Sequence, residues 1–198
     1  MGSVARGRYH HGDLRTTLVG IAVELTEEQG VDGWSMREAA RRAGVAHSAP
    51  YRHFADREAL VDAVAVEGFV ELQRRYEAAA RTARARVGAH GSAVAEAVAR
   101  AYLEFAVDHP NLFALVFSGP ERHRSPEARS SYESFVRLTT GFEADAALTD
   151  EALMSAHVLW ASVHGIAHLV NAGYFPRDHA VDLADRLIPL LTSARNPT

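Results

Sequence analysis

The chain has 198 residues, of which 47% are hydrophobic and 23% charged, and its formal net charge is −4. This composition is typical of a soluble globular protein of one or two domains, and it argues against wholesale disorder. Cysteine is absent, which excludes disulfides, thiolate catalysis and cysteine-ligated metal clusters. No signal-peptide core follows the first residues, and polar side chains interrupt the most apolar long segment, 158–175. We therefore expect a cytoplasmic protein with no membrane partner.

The distribution of charge is more informative than its sum. All 21 basic residues are arginine, and the first sixty residues are neutral overall, so the net negative charge lies in the remainder. A DNA-binding protein needs only one basic face. The negative total therefore does not exclude nucleic acid as a partner.

Apolar residues recur with a period close to 3.6 along almost the whole chain, which predicts an all-α protein of about nine helices. The first helix is expected from Asp13 to just before Gly30. Ser35 and Glu38 form a capping box for a second helix that should end at Gly44. Asp56 is the expected cap of a long fourth helix.

Between the second and fourth helices, residues 47–53 are predicted to form a short third helix after a three-residue turn. Two short helices joined in this way, behind a supporting first helix, indicate a helix-turn-helix. The second helix of such a pair enters the major groove. We therefore expect residues 47–53 to contact DNA.

The second part of the chain also shows helix-start signals. The poorly periodic segment 81–92 contains two glycines and indicates a junction. Helices are then expected to begin at Ser92, at Pro110, at Ser125 and at Thr149. The last helix should begin near Asp178, and we expect Pro189 to kink or break it around 185–189.

The side chains of residues 47–53 suit a contact with DNA. His47 and Ser48 can meet base edges, and Ala49 is small enough to touch a thymine methyl group. The other polar residues of the segment, Tyr51, Arg52 and His53, can bind phosphates. Arg57, in the first turn of the next helix, can do the same. In the alternative interpretation, Tyr51 and Phe54 only pack the domain, and the two arginines are solvated.

Two residues weaken the start of this helix. Ala46 is a poor N-cap, and the residue before Pro50 avoids helical geometry. The proline itself is tolerated in a first turn. We expect a distorted start, with Pro50 either stiffening the turn or contacting a thymine methyl group.

Residues 13–64 resemble the DNA-binding domain of the TetR family of bacterial transcriptional repressors. The resemblance rests on Gly30, Ser35-Met36-Arg37, Ala40, Ala43-Gly44-Val45, Tyr51, His53-Phe54 and Glu58-Ala59-Leu60. It implies a three-helix DNA-binding domain over 1–60, in which Ala46 stands where the family has Ser or Thr. The implied contacts are Ser35, Arg37, Ala46, His47, Ser48, Ala49, Pro50, Tyr51, Arg52, His53 and Arg57. The basic arm 1–12 resembles one branch of the family, and its Arg8 could reach DNA or belong to a disordered tail.

Residues 61–198 resemble, more weakly, the ligand-binding and dimerisation domain of a TetR subgroup marked by Trp160, His164 and Gly165. The resemblance implies a homodimer joined through the last two helices and a cavity for an unknown small-molecule effector. The candidate cavity residues are Tyr102, Phe105, His109, Phe113, Phe117, Tyr132, Phe135, Trp160 and His164, any of which could instead be ordinary core. His164 and His168 could chelate a metal, but no carboxylate shares their face, so we predict no metal and no cofactor.

The preferred hypothesis is a repressor that binds a near-palindromic operator as a homodimer and is released by the effector. One alternative is a helical DNA-binding protein of low sequence specificity. Another alternative is an enzyme that uses the C-terminal cavity. We expect no enzymatic activity, because the sequence lacks a Walker loop, a nucleophile elbow and a dinucleotide-binding turn.

Overall fold

The computed structural model describes residues 14–86, 91–119, 122–142 and 147–193. These residues form eight α-helices and no strand, which confirms the all-α prediction. The helices are α1 Leu14–Gln29, α2 Met36–Arg42, α3 Arg57–Arg84, α4 Gly91–Asp108, α5 Pro110–Val116, α6 Pro126–Thr140, α7 Asp150–Asn171 and α8 Arg177–Ser193. The predicted count was higher by one because it included residues 47–53 as a helix.

The chain divides into two compact units, one ending at Val64 and the other beginning at Ala65. This division and the predicted one after residue 60 both fall within α3. In the first unit α1 packs against α2. In the second unit α4 packs against α5, α6, α7 and α8, and its Val98, Tyr102 and Phe105 are buried. Helix α4 is thus the centre of the second core.

Short polar side chains begin four of the helices, as their spacing predicts. In each case the side-chain oxygen accepts a hydrogen bond from the backbone N–H three residues later, which satisfies a donor that the helix leaves free. These bonds are Ser35 to Glu38 at 3.3 Å, Asp56 to Ala59 at 2.9 Å, Ser125 to Ala128 at 3.0 Å and Thr149 to Ala152 at 3.2 Å.

Two predicted boundaries differ from the structure. Helix α4 begins at Gly91, so Ser92 lies inside the helix. Helix α8 continues through Pro189, although a proline removes one hydrogen bond of the helix. Pro189 is exposed, so its ring lies on the solvent side, and an ion pair between Arg100 and Asp185 joins α4 to α8 in the preceding turn. Pro189 therefore does not break the helix, which leaves a kink as the other predicted effect.

Gly68 allows α3 and α5 to pack closely, and its replacement tests that packing. A Cβ atom at this position would lie 2.4 Å from Cγ2 of Val116 and 3.2 Å from Cδ1 of Leu112. Both neighbours are buried, and a valine side chain cannot turn away easily. We expect Gly68→Ala to lower the free energy of unfolding by about 1–3 kcal/mol, as overpacking does.

The matched control is Gly20→Ala, since Gly20 is a helical glycine with nothing within 4 Å of an added Cβ atom. This substitution should leave stability unchanged or raise it by about 0.5–1 kcal/mol, because alanine favours helices over glycine. Thermal and urea unfolding of both variants measure the two effects. Equal stability of the two variants would contradict close packing at Gly68.

Candidate DNA-binding surface and effector cavity

Residues 47–53, which we call the recognition segment, form turns and a 3-10 helix at Pro50–Arg52. The carbonyl of Ala46 accepts a hydrogen bond from the N–H of Ala49 at 2.9 Å, and the Pro50 carbonyl accepts one from His53 at 2.9 Å. The predicted short helix over 47–53 is thus limited to a 3-10 helix after a distorted start, for a local reason. Pro50 has no N–H to donate to the Ala46 carbonyl, and Ala46 has no side chain that could cap a helix.

The recognition segment presents polar side chains to solvent. His47, Ser48, Arg52 and His53 are exposed, and 57% of Tyr51 is exposed. Ala46 is also exposed, and Ala49 is half-buried. Among the described residues, no side chain forms a hydrogen bond or ion pair with the polar groups of this segment. The segment therefore offers hydroxyl, imidazole and guanidinium groups that are free to bind another molecule.

The start of α2 lies beside this segment. Ser35 and Arg37 are exposed and line a recess of about 370 Å³ together with His47. Sequence reasoning placed all three at the DNA interface, and the structure brings them together. Their grouping joins α2 and the recognition segment into one surface.

Pro50 and Phe54 have the opposite environment, because both are buried. The guanidinium carbon of Arg15 lies 5.0 Å from the centre of the Phe54 ring. Phe54 therefore packs the first unit, and a buried Pro50 is placed to stiffen the turn. Tyr51, by contrast, does not belong to the core.

Two of the three arginines of α2, Arg41 and Arg42, are paired with neighbouring acids. Arg41 donates to Glu38 at 2.7 and 2.9 Å, and Arg42 donates to Glu28 at 2.8 Å. The hydrogen bonds from Arg41 lower the pKa of Glu38 to about 2, so this carboxylate stays charged at neutral pH. Arg37 has no such partner among the described residues, which leaves its charge available to an external anion.

Arg57 is also engaged within the first unit. Its Nε donates to the carbonyl oxygen of Trp34 at 3.2 Å, another guanidinium nitrogen contacts the Val31 carbonyl, and the group lies 4.7 Å from the Trp34 ring centre. Trp34 in turn donates from its indole N–H to Thr26 at 3.0 Å. Arg57 thus ties the start of α3 to the segment before α2, a task that sequence reasoning did not predict. Arg8, another predicted contact, lies outside the described residues.

The second unit contains a cavity of about 190 Å³ between helices α3, α6 and α7. Four predicted residues line it, namely Phe117, Tyr132, Phe135 and Trp160. Sequence reasoning missed six others, which are Phe69, Leu72, Tyr76, Ala128, Arg129 and Ser131. Phe69, Leu72 and Tyr76 recur at helical spacing on α3, but periodicity alone does not distinguish a cavity wall from a core face.

Five predicted residues lie elsewhere. Tyr102, Phe105 and Phe113 are buried core side chains. The Tyr102 hydroxyl lies 2.5 Å from Nδ1 of His164, and burial holds the pKa of Tyr102 well above its usual value, so the phenol keeps its proton. The Nε2 atom of His109 lies 2.9 Å from a guanidinium nitrogen of Arg75. None of the five lines the cavity.

Helix α7 exposes an apolar stripe formed by Met154, Val158 and Leu169. Their spacing of four and eleven residues places them on one side of the helix. The helix has 22 residues and is long and apolar enough to cross a membrane, but its opposite side packs in the second unit with Leu159 and Val163 buried. Among the described residues, no three potential ligands gather into a metal site.

Comparison with known proteins gives one family match in the N-terminal part of the chain and another in the C-terminal part. Residues 18–64 match the family model described as bacterial regulatory proteins, tetR family. Residues 95–191 match a tetracyclin repressor-like C-terminal domain. A Haemophilus influenzae protein described as an uncharacterized HTH-type transcriptional regulator is 34% identical over 103 residues, which span 52% of this chain and 48% of that protein. The chain thus matches about half the length of this curated relative.

Solved structures share the whole fold. A protein of unknown function from Rhodococcus sp. RHA1 is 35% identical, with a TM-score of 0.76 and coverage of 96% of this chain and 98% of that one. A TetR variant from Acinetobacter baumannii AYE in complex with minocycline is 18% identical, with a TM-score of 0.64 and coverage of 91% and 94%. The second likeness concerns the fold alone.

Proposed function

Because the chain belongs to the TetR family of bacterial transcriptional regulators, we propose that it is a repressor that binds a near-palindromic operator as a homodimer and is released by a small molecule. The observation that carries the proposal is the exposed recognition segment, whose polar side chains have no partner among the described residues. Such a protein acts in the bacterial cytoplasm, where its operator is. The proposal includes no catalytic step.

Different residues have different tasks at the proposed DNA interface. His47 and Ser48 are exposed at the front of the recognition segment, where they meet base edges. Tyr51, Arg52 and Arg37 donate to phosphates and position the protein on the duplex. Ser35, Ala46, Ala49 and His53 complete this surface. Pro50 stiffens the segment, and Arg57 holds the start of α3 against Val31 and Trp34.

The exposed apolar stripe of α7 supports the proposal of a homodimer. Met154, Val158 and Leu169 are exposed in one chain, and a second copy of the same face would remove them from water. Helix α8 adds Leu190, which is also exposed. To bind both halves of a palindromic operator, the two recognition segments of the dimer must lie about one helical turn of DNA apart.

The effector occupies the cavity of the second unit in this proposal. Helix α3 supplies Phe69, Leu72 and Tyr76 to that cavity, and the same helix begins in the first unit. In this proposal α3 can adopt two orientations, and the ligand binds one of them more tightly. Ligand binding then shifts the population of dimers toward a half-site spacing that fits the operator poorly. Release therefore requires no contact between ligand and DNA.

The test is a competition experiment with purified protein. Operator fragments enriched from a random DNA pool compete with random DNA at a fixed salt concentration. We expect the operator to bind at least ~10³-fold more tightly, as specific regulators do. We also expect affinity to fall steeply as salt rises, because phosphate contacts release counterions. Equal affinity for operator and random DNA would instead favour a DNA-binding protein of low sequence specificity.

A further inference from the structure

The volume and the aromatic lining of the cavity in the second unit indicate which ligands can bind there. Its volume is about 190 Å³, and six of its lining side chains are aromatic: Phe69, Tyr76, Phe117, Tyr132, Phe135 and Trp160. An apolar cavity of roughly 150 Å³ holds one benzene molecule. The space therefore matches a single six-membered ring with small substituents better than a fused polycyclic ligand.

The aromatic rings of the wall meet edge to face. The Phe69 and Phe117 rings cross at 79° with centres 6.1 Å apart, and those of Tyr132 and Trp160 cross at 80° with centres 6.2 Å apart. Aromatic rings favour such arrangements because the positive edge of one ring meets the negative face of the next. A planar ring in the cavity can extend this pattern, whereas a puckered aliphatic ring cannot.

Two hydroxyl groups of the cavity wall, those of Tyr76 and Ser131, have no hydrogen-bond partner among the described residues. Each of the two residues is only 2% exposed. Neither oxygen is sealed within the protein, since both residues line the cavity. Burial raises the pKa of Tyr76 well above its usual value, so its phenol keeps the proton and can donate it. Both hydroxyl groups are therefore available to form hydrogen bonds with polar atoms of a ligand in the cavity.

Charge distinguishes between possible ligands. Arg129 lines the cavity, is exposed at its edge, and has no ion pair with the described residues. Among the described residues, no acidic side chain lines the cavity. A guanidinium group binds a carboxylate through two parallel hydrogen bonds, and Arg129 is available for such a pair.

We infer that the effector is a monocyclic aromatic carboxylate, whose ring fills the cavity, whose carboxylate pairs with Arg129, and whose polar ring substituent meets the hydroxyl groups of Tyr76 and Ser131. This inference rests on the proposed function for its biological meaning. The binding event itself depends only on the second unit.

Titration calorimetry on the full-length protein, without DNA, tests the inference with 4-hydroxybenzoate as the probe. Benzamide is a neutral ligand that lacks both the carboxylate and the ring hydroxyl group, and 2-naphthoate is the oversized acid. We expect 4-hydroxybenzoate to bind at least tenfold more tightly than either. Equal or tighter binding of benzamide or 2-naphthoate, or no binding of 4-hydroxybenzoate, would overturn the inference.

Substitution of Arg129 provides a second test. Arg129→Gln should weaken binding of 4-hydroxybenzoate at least tenfold and leave binding of benzamide unchanged. The matched control is Arg84→Gln, because Arg84 is an exposed arginine of α3 that does not line the cavity. Unchanged affinity of the Arg129→Gln variant for the acid would contradict the proposed ion pair.

The same ligands, added to the protein–operator complex, separate this inference from the proposed function. If 4-hydroxybenzoate binds as expected but the protein selects no operator, the proposed function fails and the assignment of the cavity stands. If the protein selects an operator but 4-hydroxybenzoate does not bind, the inference fails and the DNA-binding function stands.

Discussion

Replacement of Val158 by aspartate should convert the proposed dimer into a monomer and lower operator affinity at least ~100-fold. Val158 is 48% exposed and lies within the apolar stripe of α7, between Met154 and Leu169. In a symmetric dimer the substitution would bury two carboxylates without partners, which is costly. A monomer holds one half-site only, and loss of the linked second contact lowers affinity by 10²–10⁴-fold.

Val70 provides the matched control for this experiment. It is 47% exposed, nearly the same fraction as Val158, but it lies on α3 and outside the stripe. Val70→Asp should leave the oligomeric state unchanged. Light scattering coupled to size-exclusion chromatography gives the mass of each variant. A Val158→Asp variant that remains a dimer would show that α7 does not form the interface.

Removal of the Tyr51 side chain should weaken binding to every DNA sequence by about 5- to 100-fold, which corresponds to about 1–3 kcal/mol. Tyr51 is the most exposed aromatic residue of the first unit among the described residues, and its hydroxyl has no internal partner there. Tyr51→Ala should therefore remove the proposed phosphate contact without creating a cavity. Fluorescence anisotropy with operator and random duplexes measures the loss, and thermal unfolding should show no change in stability.

Substitutions of two neighbouring residues, Phe54 and His47, should have effects that differ from the effect of Tyr51→Ala. Phe54→Ala removes a buried ring and should lower the free energy of unfolding by about 3–5 kcal/mol. His47→Ala should change the preferred sequence more than the affinity for random DNA, since His47 is assigned to base edges. If Tyr51→Ala binds both duplexes as tightly as the unsubstituted protein, Tyr51 does not contact phosphate.

Local signals in the sequence predicted much of the fold. Ser35, Asp56, Ser125 and Thr149 each cap a helix because a side-chain oxygen three residues before a backbone N–H suffices for the bond. The same kind of local reasoning explains the weak start at Ala46. It did not predict that Pro50 would leave only a 3-10 helix, because one missing hydrogen bond can bend a helix or end it.

Contacts between distant residues could not be predicted from the pattern. Arg57 lies against the Trp34 carbonyl, 23 residues away, and nothing in the local pattern distinguishes it from a solvated arginine. Similarly, Tyr76 on α3 and Arg129 on α6 line one cavity although they are far apart in sequence. Aromatic residues on α4 were expected at that cavity but fill the core, since α4 is surrounded by four helices.

The central claim is that the recognition segment lies against the bases of the operator, and the absence of native cysteine allows a direct test. A Ser48→Cys variant can carry one photo-activated cross-linker at a defined exposed position. The account predicts cross-links to bases in both half-sites, about one helical turn apart. The same label on Glu104→Cys, at an exposed position of α4, should give none. Cross-links from position 104 with none from position 48 would contradict the account.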